Sequence, residues 1–448
     1  MSYTTLNITP SIAQTSGETR LLSWNTILSQ RLAPLYVFLA ALSIRLVMDI
    51  FLPSVNSYSG SQTEADSYTY HSIAQNLISG RGYSFDGITP TRDRTPTYPV
   101  FLAMIYLVFG PSATAILISQ AFLGALTCLF AYHIGRRIFD ARAGFLAAVV
   151  VAFYPALIYY DSRVLRESLT TFLLTAAVLT ALRIVQGQKR PRGYLVVGAI
   201  LAAVSMCRPE TLLLTVPIGY MLVRPIRGLR NLWRPALLVS LPILFVWVPW
   251  TARNYITFGS LSPITVGLGS TLWFGSRWAA IGGDDHKPET HAALQKKVHA
   301  LRDTTEVAVE QRFMSEVMRD IMQKPGWFLE MVYKKIILFW KDANGVRKTL
   351  PSIHPFLAPL VNAYYYLLLL LAVTGIVLGW QKYEWVRPLL VLIVTYMMTY
   401  ALLHVRNRYR VPVLPVVFVL SAGGFWAVYD SLKAYLTNHW RNSDGHVS

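Results

Sequence analysis

Cysteines and charged residues are both scarce in this sequence. Only two of its 448 residues are cysteines, Cys128 and Cys207, and they form no CxxC pair. A disulfide scaffold and a cysteine-ligated metal site are therefore excluded. Charged residues make up 14% of the chain, against about a quarter in soluble domains, and 54% are hydrophobic. This composition also excludes a soluble enzyme and a disordered chain.

Motifs that would indicate nucleotide-driven transport are missing as well. The sequence contains no P-loop and no GxGxxG fingerprint. It shows no tandem halves with helices broken at matching positions, the pattern typical of secondary transporters.

Long apolar runs dominate what is present, and many approach the ~20 residues that cross a bilayer as a helix. They predict an all-α polytopic membrane protein with about ten transmembrane helices. The predicted spans are roughly 32–52, 113–135, 143–160, 165–185, 194–206, 211–223, 235–250, 357–379, 386–403 and 411–429.

The net charge of +18 reflects basic loops that set the orientation of the chain in the membrane, and it does not indicate nucleic-acid binding. Lys and Arg gather in short loops that we assign to the cytoplasm. Outer-face amphipathic helices are expected near 98–109 and 325–341, where apolar stretches are short. The predicted division is a cytoplasmic segment 1–31, a transmembrane module 32–252 with a first outer loop 53–112, an outer loop 253–350, C-terminal spans 351–430 and a cytoplasmic tail 431–448.

Charges that topology does not explain gather on the predicted outer face. Arginines in short outer loops oppose the positive-inside bias, and an anionic group at the outer interface would account for them. A lipid-linked phosphate is the natural candidate, because Arg binds phosphate with a bidentate fork. Pairing with nearby carboxylates or phospholipid headgroups is the alternative. The candidates are Glu64, Asp66, Asp93, Arg94, Arg163, Glu167, Arg253, His404, Arg406, Arg408 and Arg410.

Asp66 is the candidate general base of this set. On a helix over 63–79, it shares the apolar face with Tyr70 and Ala74, whereas Glu64 lies on another face. A carboxylate at such an edge can serve as a base near a lipid phosphate. Glu64 and Asp66 are also of the type that can hold a divalent cation, but no metal signature accompanies them, so no metal site or cofactor is assigned. Residues 284–286, Asp-Asp-His, are interpreted as a polar turn.

A series of short motifs follows the same outer-face segments. In chain order they are Asp66-Ser67-Tyr68, Gly80-Arg81-Gly82-Tyr83, Arg94-Thr95-Pro96-Thr97-Tyr98-Pro99, Tyr154-Pro155, Pro249-Trp250-Thr251-Ala252-Arg253-Asn254 and Arg408-Tyr409-Arg410. Over about residues 30–430 their order resembles the polyprenyl-phosphate-sugar-dependent glycosyltransferases of the GT-C fold. The likeness is to the family 39 group, which includes protein O-mannosyltransferases and lipid A aminoarabinose transferases.

The resemblance implies an inverting transfer of a sugar from a polyprenyl-phosphate donor at the outer face. Asp66 matches the family's acid, with Glu64 as its neighbour. Arg94 matches its basic phosphate contact, and Arg253, Arg406, Arg408 and Arg410 would also hold phosphate. Asp93, Tyr98, Arg163, Glu167 and His404 would position substrate.

The same resemblance bears on partners and location. The first carboxylates are Glu64 and Asp66, not the Asp-Glu pair of the mannosyltransferases, and no large β-trefoil domain follows. A lipid or envelope-glycan acceptor is therefore expected in place of a protein. The other expected partners are membrane lipids, and nucleic acid is not one. The expected location is the cytoplasmic (inner) membrane, with a multi-pass chain whose site faces the periplasm or exterior.

Two alternatives stay open at this point. A transporter or flippase for lipid-linked sugars would also need outer-face arginines, together with charges at midplane depth. The nearest candidates for such charges are His133, Arg45 and Asp49, of which Arg45 and Asp49 are spaced as an i, i+4 pair in the first span. An oligosaccharide ligase using a diphosphate-linked donor would share the arginines too.

Overall fold

The computed structural model describes residues 17–51, 62–187, 190–226, 228–259, 267–280, 306–341 and 354–444. Within these ranges the chain is α-helical and forms no strands, apart from one isolated bridge between Ser84 and Pro90. The predicted all-α class is confirmed. The helices are α1 Gly17–Phe51, α2 Gln62–Ile78, α3 Thr97–Phe109, α4 Ala113–Ile138, α5 Ala141–Phe153, α6 Pro155–Asp161, α7 Glu167–Val185, α8 Pro191–Ser205, α9 Thr215–Val223, α10 Trp233–Phe258, α11 Leu268–Ala280, α12 Glu306–Gln323, α13 Pro325–Trp340, α14 His354–Gly379, α15 Val386–Leu402 and α16 Leu414–Asp444.

Each predicted span falls largely on helical residues, but the count of ten spans is not confirmed. Six helical stretches of the described chain are long and apolar enough to cross a membrane. A seventh span results if α5 and α6, which are bent by 57° relative to each other, cross together. The helices at 191–205, 209–223 and 386–402 are apolar but shorter. Their lengths explain the difference, because a stretch of 15 to 17 residues is at or below the usual minimum for a span.

Local sequence explains where several helices begin. Ser112 accepts a hydrogen bond from the backbone N–H of Ala115, and Asp140 accepts one from that of Ala143. Such caps satisfy N–H groups that a helix start leaves unpaired. Proline at the first helical position opens α6, α8 and α13, where its missing N–H costs nothing.

The main core lies where α4 packs against α1, α5 and α7, and where α14 packs against α16. Glycine residues allow α14 and α16 to pack closely against each other. A Cβ at Gly424 would lie 2.0 Å from the carbonyl oxygen of Leu371, and one at Gly375 would lie 2.2 Å from that of Leu420. The two helix backbones therefore approach more closely than any larger residue allows.

The short helices α2 and α3 form a second core that positions the candidate site. Tyr70 and Ala74 of α2 pack with Tyr98 and Leu102 of α3, and with Cys207 after α8. Tyr68, on the other face of α2, is exposed. The predicted apolar face of α2 is therefore confirmed, and Asp66 lies at its N-terminal end.

The segment that follows α10 is described only in part. Trp273 of α11 donates its indole N–H to Glu316 of α12 at 2.8 Å, and Arg277 pairs with Asp320 at 2.9 Å. The predicted turn at 284–286 lies outside the described residues.

Candidate active site

Asp66 lies between two arginines from distant parts of the chain. Its Oδ1 accepts a hydrogen bond from Nη2 of Arg94 at 2.9 Å, and its Oδ2 accepts one from Nη2 of Arg408 at 2.6 Å. Arg94 lies between α2 and α3, and Arg408 lies in the short 3₁₀ helix Asn407–Val413. Both carboxylate oxygens are therefore held by guanidinium groups.

Arg94 is fixed by neighbours other than Asp66. Its Nη1 pairs with Oδ2 of Asp93 at 2.9 Å, and its Nε donates to Oγ1 of Thr69 at 3.3 Å. The guanidinium carbon lies 5.7 Å from the ring centre of Tyr70. Tyr83 also donates its hydroxyl to the Arg94 carbonyl oxygen at 3.0 Å. These contacts orient the Arg94 fork towards Asp66.

A chain of alternating charges continues from Arg408 into the bundle. Nε of Arg408 lies 3.7 Å from Oε1 of Glu167, which accepts a hydrogen bond from Nη2 of Arg208 at 2.5 Å. Arg208 also donates to the Tyr400 hydroxyl at 3.2 Å and lies over the Tyr409 ring. Glu167 is the first residue of α7, where the helix dipole favours a negative charge.

Electrostatics keep Asp66 ionised. Burial alone would raise the pKa of its carboxyl. The positive charges of Arg408 and Arg94 outweigh burial and hold the pKa below its ordinary value. Asp66 therefore stays a carboxylate throughout the physiological range, and its two strong partners limit its basicity.

Three other predicted phosphate ligands differ in their surroundings. Arg410 is buried and donates to the carbonyl oxygens of Phe339 and Lys341 at 2.9 and 2.8 Å. Arg253 donates to the carbonyl oxygen of Thr91 at 2.8 Å. Arg406 lies 3.1 Å, Nε to Nε2, from His404. Two of the three are thus engaged by main chain, and none contacts Asp66.

The remaining predicted substrate-positioning residues are dispersed. Tyr98 is buried, and its hydroxyl donates to Oε1 of Gln120 at 2.8 Å. Gln120 in turn donates to the main chain of Arg163 at 2.6 Å. Tyr98 therefore packs inside the protein and not beside Asp66. Glu64 lies in α2, but its side chain is outside the described residues.

Arg45 has a different partner from the one considered in the sequence. The Arg45/Asp49 pair considered in the sequence is not the ion pair that the structure shows, because Nε of Arg45 pairs with Oδ2 of Asp161 at 2.7 Å. Ser168 donates to the other oxygen of Asp161 at 2.6 Å. A Cβ on Gly124 would lie 2.2 Å from Asp161, so only glycine leaves room for this pair. The tertiary approach of α1 and α6 overrides the i, i+4 spacing.

The described residues contain no group of three or more His, Cys, Asp or Glu side chains placed to hold a metal ion.

Arg208 belongs to the charges that topology does not explain, but no site role was predicted for it, and Tyr400 was missed altogether. Arg208 stands in Arg-Pro-Glu between two apolar runs, a position that topology alone does not require, and this could have identified it. Tyr400 is one aromatic residue on the apolar helix α15 and carries no such signal. Only the fold brings it to Arg208.

Comparison with known proteins places this geometry in a wider context. The family model of dolichyl-phosphate-mannose-protein mannosyltransferases matches residues 93–252, less than half of the chain. No curated protein matches the sequence.

Solved structures give broader coverage. The Archaeoglobus fulgidus oligosaccharyltransferase in its apo form aligns with a TM-score of 0.53 and 16% identity, covering 91% of this chain and 52% of that one. The same archaeal enzyme, AglB, with an inhibitory peptide and a dolichol-phosphate gives 0.51 and 15%, covering 90% and 51%. This chain thus spans about half the length of the archaeal enzyme.

A weaker likeness, on which no argument rests, is to ArnT from Cupriavidus metallidurans bound to undecaprenyl phosphate. Its TM-score is 0.42 at 12% identity, covering 87% of this chain and 77% of that one. The match of residues 93–252 and the archaeal alignment agree with the resemblance seen in the sequence. The chain is therefore a multi-pass membrane protein with the GT-C fold.

Proposed function

We propose that this chain is an inverting glycosyltransferase. It moves a sugar from a polyprenyl-phosphate donor to an envelope lipid or glycan. The observation that carries the proposal is the position of Asp66, whose two oxygens each meet an arginine at 2.9 and 2.6 Å. The carboxylate can act as a general base, and the two guanidinium groups can bind an anion. Sugar transfer from a phosphate-linked donor needs a base for the acceptor hydroxyl and a binding site for the phosphate.

The proposed step begins with the acceptor hydroxyl. Asp66 takes its proton while the hydroxyl oxygen forms a bond to the anomeric carbon of the donor sugar. The bond from that carbon to the phosphate oxygen breaks, and polyprenyl phosphate leaves with the electron pair. Attack opposite the leaving group inverts the anomeric centre. Asp66 then returns the proton to solvent.

Arg94 and Arg408 are the proposed phosphate ligands. They carry forks that converge on one point from separate segments, as recognition of a phosphate group requires. Arg253 and Arg410 have their donors on carbonyl oxygens and would act by holding the surrounding loops. Glu167, which is paired with Arg208, would hold the Arg408 guanidinium in position from the side of the helix bundle.

An oligosaccharide ligase is the second candidate. The similarity of the fold to the archaeal oligosaccharyltransferase favours it. A ligase would use a diphosphate-linked donor, whereas the proposed transferase uses a monophosphate-linked one. The identity of the lipid product therefore separates the two functions.

A release assay on the reconstituted protein tests the proposal. A panel of polyprenyl-phosphate and polyprenyl-diphosphate sugars is offered with crude envelope lipid as acceptor. The released polyprenyl phosphate or diphosphate is followed, with Asp66→Asn as control. Release of polyprenyl phosphate from one of the donors by the wild type, but not by the Asp66→Asn control, would support the transferase. Turnover only with a diphosphate-linked donor would favour the ligase. Movement of intact lipid to the opposite leaflet would indicate a flippase.

The proposed domain division and orientation require their own test. With the inner membrane as location and the site outside, a cysteine at position 66 should react with an impermeant reagent added from outside. A cysteine at position 190 should not react. The reverse labelling pattern would overturn the outward-facing site.

A further inference from the structure

Asp66 occupies the same two guanidinium groups that the proposed donor phosphate requires. One carboxylate bridges Nη2 of Arg94 and Nη2 of Arg408, with an oxygen on each. A phosphate group presents two oxygens in a closely similar way, and arginine forks bind both anions through parallel charge-assisted bonds. Asp66 and the donor phosphate would therefore compete for one pair of cations.

The exposure of this cluster distinguishes it from the structural ion pairs of the bundle. The side chains of Arg94, Asp66 and Arg408 are 24%, 18% and 13% exposed. Those of Arg208 and Glu167, in contrast, are 0% and 1% exposed. An incoming ligand can reach the first set, whereas the second is sealed. The Asp66 contacts are thus open to exchange.

Each guanidinium also has anchors that do not depend on Asp66. Arg94 keeps Asp93 and Thr69, at 2.9 and 3.3 Å. Arg408 keeps Glu167 at 3.7 Å and lies 5.6 Å from the ring centre of Tyr409. Removal of the carboxylate would therefore leave both forks near their present positions, ready for another anion.

We propose that Asp66 is an internal competitor for the donor phosphate, bound by Arg94 and Arg408 until the donor takes them over. This inference rests on the proposed function. Displaced from the arginines, the carboxylate gains free lone pairs for the acceptor hydroxyl. The base thus becomes available only when a donor is in place. After transfer, polyprenyl phosphate leaves and Asp66 returns to the arginines.

The inference makes an unusual prediction about binding. Asp66→Asn removes the competing charge, so the full-length protein should bind polyprenyl phosphate more tightly while its turnover is lost. We expect a Kd about two- to fivefold lower than that of wild type, as for loss of a partly exposed ion pair. The measurement is titration of undecaprenyl phosphate into the protein in lipid nanodiscs.

Asp86→Asn is the matched control. Asp86 lies in the same outer loop, and its Oδ1 accepts from the N–H groups of Ile88 and Thr89, contacts that an asparagine oxygen retains. This variant has the same change of charge and should leave Kd unchanged. If it tightened binding as much as Asp66→Asn, the effect would come from net charge and the exchange would be overturned.

The outcomes separate this inference from the proposed function. Lost turnover with an unchanged or higher Kd in Asp66→Asn overturns the exchange and leaves the transferase standing. No binding of undecaprenyl phosphate by wild type overturns both.

A measurement on wild type covers the case in which Asp66→Asn fails to fold. Carbodiimide labelling of Asp66, followed by peptide mass spectrometry, should become faster when undecaprenyl phosphate is added, because the carboxylate loses its arginine partners. An unchanged or slower rate would overturn the exchange.

Discussion

Arg208 and Glu167 form a sealed ion pair directly behind the Asp66 cluster, with Nη2 and Oε1 2.5 Å apart. Neither side chain has contact with solvent, yet Glu167 lies 3.7 Å from Nε of Arg408, which itself binds Asp66. The pair thus joins the packed bundle to the candidate site.

We expect Arg208→Met to destabilise the protein by about 3–5 kcal/mol, because it leaves the carboxylate of Glu167 buried without its strongest partner. Thermal unfolding of the detergent-solubilised protein measures this. The double variant Arg208→Met with Glu167→Leu should recover most of the stability, since no charge then remains unpaired. It should not recover turnover, because Arg408 loses its support. Recovery of both would show that the pair is only structural.

Asp66→Asn should lower turnover by about 10²–10⁴-fold, the usual contribution of a positioned base. Glu64→Gln is the comparison, because the helix-face argument directs Glu64 away from the apolar face that Asp66 heads. We expect a much smaller loss for Glu64→Gln in the polyprenyl phosphate release assay. Equal losses would favour a paired-carboxylate role for the two residues.

The sequence predicted the elements better than the contacts between them. Apolar runs located every described span, and the spacing on α2 correctly separated Tyr70 from Tyr68. The partner of Arg45 was missed, because the local candidate Asp49 is four residues away whereas the actual partner is 116 residues away. Arg408 and Arg410 look equivalent in sequence. Only the 3₁₀ helix directs one to Asp66 and the other to main-chain carbonyls.

The depressed pKa of Asp66 predicts a pH dependence of known sign. Its pKa lies below the ordinary value, so the stabilisation it provides is present above that value and is lost as pH falls through the lowered pKa. Arg94→Ala removes one of the two charges that lower the pKa. The acid limb of its kcat/KM–pH profile, which reports the free enzyme, should therefore shift to higher pH.

Arg142→Ala is the control for that shift. It removes the same charge, but the partners of Arg142 are Asp140 and Asp430 and not Asp66. Its acid limb should coincide with that of wild type. A shift of equal size in this variant would assign the effect to overall charge.

Arg94 and Arg410 should respond differently to truncation. Arg94→Ala removes a charge-assisted contact to phosphate and should weaken undecaprenyl phosphate binding by about 1.5–3 kcal/mol, or about 10- to 150-fold. Arg410→Ala leaves two carbonyl oxygens without this donor and should lower stability by about 1–3 kcal/mol instead. Binding and thermal unfolding are measured on both variants. If Arg410→Ala lost affinity for undecaprenyl phosphate while its stability stayed unchanged, Arg410 would be a phosphate ligand after all.

Gly124 should tolerate no side chain, because of the ion pair that it contacts. A Cβ there would lie 2.2 Å from Oδ2 of Asp161 and 2.3 Å from Nε of Arg45, both of them buried. We expect Gly124→Ala to force the pair apart and to cost about 3–5 kcal/mol, the usual cost of breaking a buried pair. Gly219→Ala is the control, since no atom lies within 4 Å of its added Cβ. It should be neutral or slightly stabilising, because alanine restricts the unfolded chain. Thermal unfolding compares the two variants. Equal stability would mean that α4 can move away from α6 without breaking the Arg45–Asp161 pair.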